Sequence, residues 1–81
     1  MQVRVRLGAG LAQLADAPLL RFELEDGATV ADLFERVGDA APDVAPALRS
    51  VLPVVGGEHA ERSRRLQAGD EVALLLPVSG G

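Results

Sequence analysis

Polar and apolar positions alternate without a break through Gln2-Val3-Arg4-Val5-Arg6-Leu7. That is the period of a half-buried strand, so Val3, Val5 and Leu7 are expected inward and Arg4 and Arg6 outward. Leu20-Arg21-Phe22-Glu23-Leu24-Glu25 repeats the pattern, with Leu20, Phe22 and Leu24 inward. Antiparallel pairing of the two would set Arg4 and Arg6 beside Glu23 and Glu25, an opposite-charge match on the wet face. The connection from Gly8 to Leu19 is too long for a tight hairpin. Within it, Leu11 to Ala15 is expected to make a short helical turn whose leucines cover one end of the core.

The period then changes. Asp26-Gly27 marks a turn, and Thr29 with Asp32 three residues on is a variant of the helix capping box. Val30, Leu33, Phe34 and Val37 follow at i, i+3, i+4 and i+7, which predicts one apolar stripe on a helix that Gly38 closes. Asp39 to Ser50, with Pro42 and Pro46, reads as a loop with one short turn that carries Val44 and Leu48 onto the core. Val51 to Val55 predicts a strand, with Pro53 placing it at an edge or interrupting its ladder. Gly56-Gly57 signals a hairpin into a brief return over Glu58-His59-Ala60. Arg62, Arg64 and Arg65 fall in the next loop, which Leu66 anchors to the core.

Gly69-Asp70 opens the last strand, which is expected to finish near Pro77, because proline cannot donate to a sheet ladder. Val72, Leu74 and Leu76 are expected to face the helix. Ala73 and Leu75 point the other way, beside Arg4 and Arg6 if the first and last strands are central neighbours. A strand apolar on both faces needs cover on both, and nothing else in so short a chain can cover the second. A partner surface is expected there, formed by Leu75, Ala73, Pro77, Arg4 and Arg6. The order of elements is that of one amphipathic helix laid across a single mixed sheet, an α+β class.

Size narrows the possibilities. At 81 residues the chain is one small domain that buries roughly 60–65% of its unfolded surface. With no cysteine, and Phe22 and Phe34 as its only aromatics, its stability must come from aliphatic packing. A formal charge of −4 and the scarcity of base-stacking aromatics disfavour nucleic acid as a partner. No stretch is long and apolar enough to cross a bilayer, and Met1 leads almost directly into a strand, so no membrane segment or signal peptide is expected. A cytoplasmic location is the default. All eight basic residues are arginine, so an activated terminal carboxylate would find no side-chain amine on a second copy of the chain.

Candidate chemistry is sparse. A nucleophile, base or metal in mutual reach is missing: there is one histidine, and Ser50, Ser63 and Ser79 show no nucleophile-elbow spacing. His59 reads as an exposed polar residue, and Glu58, His59 and Glu61 match no metal-site spacing. The Arg62, Arg64 and Arg65 cluster is most simply a solvated loop. Gly8-Ala9-Gly10 begins like a dinucleotide fingerprint, but Gln13 stands where the third glycine belongs, and the chain is too short for that fold. Independent catalysis is not expected.

What remains is the ending, Pro77-Val78-Ser79-Gly80-Gly81. A strand that leads into a tip without side chains suits insertion of a terminal carboxylate into a narrow site on another protein, and equally suits a frayed chain end, where small residues are common. The ending resembles that of the ubiquitin-like sulfur carriers, the MoaD/ThiS family, which includes the small subunit of molybdopterin synthase. The resemblance covers the chain in element order: the first strand from residue 2, the helix capped at Thr29, Val54-Val55 before a Gly-Glu turn, and the acidic turn with the apolar strand before Gly80-Gly81. Gly56 departs from it, since asparagine is frequent in the family there, but both residues tolerate positive φ.

The resemblance implies a β-grasp fold, with four to five strands packed on one main helix over residues 1–77 and a flexible tail over 78–81. It implies that the Gly81 carboxylate is adenylated at the expense of ATP by an E1-like adenylyltransferase/sulfurtransferase and converted to a thiocarboxylate. Val78, Ser79 and Gly80 would lead it into the large subunit of molybdopterin synthase. No permanently bound cofactor and no metal are implied. The match of Pro77 to Gly81 favours the molybdopterin branch. Sulfur delivery to thiazole, cysteine or transfer RNA is the alternative within the carrier class, and a ubiquitin-like binding module that is never activated is the alternative outside it.

Overall fold

The structure is a computed structural model that describes residues 1–77. The expected carrier tail, Val78 to Gly81, lies outside the described residues. Five strands form one mixed sheet in the order β2-β1-β5-β3-β4, where β1 is Gln2–Leu7, β2 Leu19–Glu23, β3 Leu52–Val55, β4 Glu58–His59 and β5 Glu71–Leu75. The first and last strands run parallel at its centre, and the other neighbours are antiparallel. Helix α1 spans Ala9–Ala15, α2 spans Val30–Ala40, and a 3-10 turn spans Ala45–Arg49. This is the β-grasp arrangement.

The core follows from the two periods. Val3, Val5 and Leu7 on β1, Phe22 on β2, Val55 on β3 and Val72 and Leu74 on β5 meet the stripe Val30, Leu33, Phe34 and Val37 of α2. Leu11, Val44, Leu48 and Leu66 close the ends. Among the described residues no polar or charged side chain is buried, so the core is entirely aliphatic and aromatic.

Helix α2 starts as expected. The Thr29 hydroxyl accepts from the Asp32 N–H at 3.3 Å, and the Thr29 N–H donates to the Asp32 carboxylate at 2.9 Å. It does not stop at Gly38. It continues to Ala40, because the residue before a proline is driven out of helical geometry and Ala41, before Pro42, takes φ −135° and ψ 78°. Gly38 is instead where the 3-10 turn packs against α2: a Cβ there would stand 3.6 Å from Ala45 Cβ and 3.6 Å from Leu48 Cδ1.

Three further expectations change. The first pairing is out of register with the charge match: Arg4 lies opposite Arg21, and Arg6 opposite Leu19. The inward positions Val3 and Phe22 set that register, and they outweigh exposed ion pairs of at most about 1 kcal/mol. Leu76 does not face the helix, because β5 ends at Leu75 and the alternation lapses with it. Leu76 is exposed and lies alongside α1, with Cδ1 3.4 Å from where a Cβ on Gly10 would stand. The Arg62 loop is not simply solvated. Arg62 donates to the Leu48 carbonyl at 2.8 Å, and its guanidinium lies 4.6 Å from the Phe34 ring centre. The same loop supplies carbonyls of Arg64 and Arg62 to the N–H groups of Val30 and Ala31, at 2.9 Å each, at the start of α2.

Pro53 sits in a strand paired on both sides, with its ring on the buried face. The Ala60 N–H donates to the Pro53 carbonyl at 2.9 Å. Proline has no N–H to return, and β4 is only Glu58–His59. Gly56 and Gly57, at φ 59° and 82°, make the two-residue turn between β3 and β4 that requires positive φ at both positions.

Candidate functional site

The helices cover one face of the sheet and leave the other open. Because side chains alternate, the register assigns the open face residue by residue. One row across it reads Arg21, Arg4, Glu71, and the next Leu19, Arg6, Ala73, Val54, His59. Leu75 and Leu52 are paired in the row after that, at the end where the chain leaves β5. Leu75 is 44% exposed and Leu52 40%, large fractions for aliphatic side chains in a chain of this size.

Four of the residues expected at a partner surface, Leu75, Ala73, Arg4 and Arg6, share this face. Pro77 is exposed and lies two residues beyond the end of β5. Arg6 is tied to the same face by an ion pair with Glu71 at 3.1 Å. The expected set omits Leu52, Val54, Leu19 and Arg21. The signal for two of them was present: Val51 to Val55 is apolar at both parities, as is the last strand, and that marks a second face in need of cover.

The close approach of chain to chain here explains Gly8. Its N–H donates to the Leu74 carbonyl at 3.0 Å, and a Cβ would lie 3.4 Å from that oxygen and 3.7 Å from Leu75 Cδ2. Gly8 thus carries the β1–β5 ladder one residue past the strand and holds the exit of β5 against the start of α1. The glycines around Ala9 serve packing, not phosphate binding.

The open face carries Leu52, Val54 and Leu75 toward one end and Arg4 and Arg21 toward the other. Glu58 and His59 are successive residues of β4 and so point to opposite sides of the sheet, which separates two of the three side chains weighed as metal ligands. Among the described residues no cluster of histidine, cysteine and acidic side chains could hold a metal ion, and no helix is long and apolar enough to cross a membrane. A hollow between α2 and the 3-10 turn, lined by Phe34, Gly38, Leu48, Arg49 and Arg62, is roofed by an arginine already committed to structural contacts.

The sequence profile of the ThiS family matches residues 5–81. The chain is 31% identical to the molybdopterin synthase sulfur carrier subunit of Chlamydomonas reinhardtii, over the whole of both chains. It is 34% identical to small archaeal modifier protein 1 of Haloferax volcanii, across 94% of this chain and 97% of that one. The crystal structure of that modifier superposes with a TM-score of 0.88 at 30% identity, covering all of both chains. The complex of subunits 1 and 2 of the molybdopterin-converting factor of Helicobacter pylori contains a chain that superposes with a TM-score of 0.73, at 18% identity and full coverage of both, a likeness of fold.

Proposed function

Given that the chain belongs to the ThiS family of ubiquitin-like sulfur carriers, we propose that it serves as the sulfur-donating subunit of a molybdopterin synthase. The observation that carries this reading is the convergence of Leu52, Val54, Ala73 and Leu75 on one open face at the end where β5 leads toward the Gly80-Gly81 ending. An apolar shelf beside the exit holds a partner where the terminal carboxylate is to be used.

The Gly81 carboxylate attacks the α-phosphorus of ATP on an adenylyltransferase/sulfurtransferase of the activating type, and pyrophosphate leaves. The acyl-adenylate is a good electrophile where the carboxylate was a poor one. Hydrosulfide from the sulfur source then adds at the carbonyl carbon, AMP departs and the thiol proton passes to solvent, leaving a thiocarboxylate. The chain itself binds no permanent cofactor in this scheme; ATP belongs to the activating enzyme. Val78, Ser79 and Gly80 carry the sulfur into the large synthase subunit, where it passes to the pterin precursor in the cytoplasm. The chain contributes position and a reactive terminus, and the large subunit contributes the catalytic groups.

A second reading is favoured by the likeness to small archaeal modifier protein 1. In it the same acyl-adenylate is attacked by an amine of another protein, AMP leaves, and the chain remains attached through an amide. Sulfur delivery to thiazole, cysteine or transfer RNA stays within the carrier class. The test is incubation with the cognate activating enzyme, ATP and a sulfur source, followed by intact mass. A gain equal to the exchange of one oxygen for one sulfur supports the carrier. An unchanged mass overturns it in favour of a module that is never activated. Transfer of the sulfur to the pterin precursor on adding the large subunit separates the molybdopterin reading from the others.

A further inference from the structure

On the open face, Arg4 and Arg21 are direct register partners across β1 and β2. Like charges set directly opposite in an antiparallel pair work against the fold. The acids nearby are already engaged: Glu23 takes the amino terminus at 3.5 Å, Glu71 takes Arg6 at 3.1 Å, and Asp70 accepts from the Gln67 N–H at 2.8 Å. Among the described residues neither Arg4 nor Arg21 makes an ion pair, and the two line a shallow hollow with Gln2 and Gly69. Of the other arginines, Arg36 is spent on the Glu23 carbonyl at 3.0 Å and Arg62 on the 3-10 turn. Arg49, Arg64 and Arg65 make no ion pair among the described residues either, but they lie outside the strands of the sheet. In a chain of net charge −4, two unengaged guanidinium groups are thus held side by side on the one face left uncovered.

We propose that Arg4 and Arg21 together form a clamp for a carboxylate of the partner protein seated on the apolar shelf. The proposal rests on the sulfur-carrier reading, which supplies that partner: the large synthase subunit, presenting an aspartate or glutamate to the clamp. One guanidinium offers a carboxylate two parallel N–H donors in a fork, and the second guanidinium adds further donors and attraction for the anion. Position gives the clamp its use. Arg4 is level with Glu71, and Leu75 is four residues further along β5, about 13 Å at a rise of ~3.3 Å per residue. The partner is therefore held at two separated points, apolar at the exit of the tail and ionic behind it. Two such points fix the direction in which the tail leaves, which one patch alone does not.

The test measures association of the full chain with the large synthase subunit from the same organism, as a function of sodium chloride, beside thermal melting of each variant. Arg21→Glu places an acid opposite Arg4, so it is expected to leave melting unchanged or raised. It is also expected to slow association about tenfold at low salt and to flatten the salt dependence. Arg21→Gln is expected to fall between the two. Association of Arg21→Glu at the wild-type rate at every salt concentration overturns the clamp while leaving the carrier reading intact. A loss of binding that merely tracks a loss of melting temperature also overturns it, since the role would then be structural. If the wild-type chain itself fails to bind the large subunit, clamp and synthase partnership fall together. The mass gain on activation still judges the carrier separately.

Discussion

Leu52 and Leu75 face each other across the antiparallel β3–β5 ladder on the side of the sheet away from α2, one 40% and the other 44% exposed. Full burial of a large aliphatic side chain is worth roughly 1.5–3 kcal/mol, so covering the exposed part of each leucine gains about 0.6–1.3 kcal/mol, and the pair together outweighs a single exposed ion pair on the same face. It should dominate affinity, with the arginines setting approach and direction. Leu75→Glu is therefore expected to weaken binding to the large subunit at least tenfold while shifting the melting temperature little, as read by titration calorimetry and thermal melts. Equal losses in both would mean that this face belongs to the core.

The terminus is expected to be intolerant in function and indifferent in fold. Replacing Gly81 with a bulky residue, or extending the chain beyond it, should abolish the mass gain on activation and leave the melting curve where it was. Retained activation in either variant would count against a narrow site for the terminal carboxylate.

The capping box at Thr29 makes two hydrogen bonds to the start of α2. Thr29→Ala should cost about 1 kcal/mol. In a chain of this size that lowers the melting temperature by roughly 4–8 °C. Because Thr29 lies on the helix side of the sheet, partner affinity should hold.

Arg62 ties the loop before Leu66 to the 3-10 turn and covers Phe34. Arg62→Ala removes a charged hydrogen bond and a cation–π contact, and a destabilisation of about 1–3 kcal/mol is expected from denaturant melts. Arg62→Lys should recover only part of it, since an ammonium cannot both lie flat on the ring and reach the Leu48 carbonyl. Full recovery would show that charge alone matters there.

Much of this was legible in the sequence because single periods carry it. The alternation at Val3, Val5 and Leu7 and the stripe at Val30, Leu33, Phe34 and Val37 each predict a buried face without knowledge of the rest of the chain, and both are observed. The errors fall where the outcome depends on two distant segments at once. Which residue lies opposite Arg4 is decided by how Phe22 meets Val3, not by charge along either strand. The end of α2 is decided by Pro42, a stronger local constraint than Gly38. The open face was half read: the last strand announced Ala73 and Leu75, but their neighbours Leu52 and Val54 join them only through the order of the sheet.

The parallel pair at the middle of that sheet joins the first strand to the last, so that Arg6 reaches Glu71 across 65 positions of sequence. Contacts of such separation form slowly and only once both ends exist. During synthesis the ribosome therefore releases a chain whose sheet has no centre until its final strand emerges. A molecule stalled before β5 would have no middle to its sheet, so Val30, Leu33, Phe34 and Val37 of α2 would lack Val72 and Leu74 to pack against.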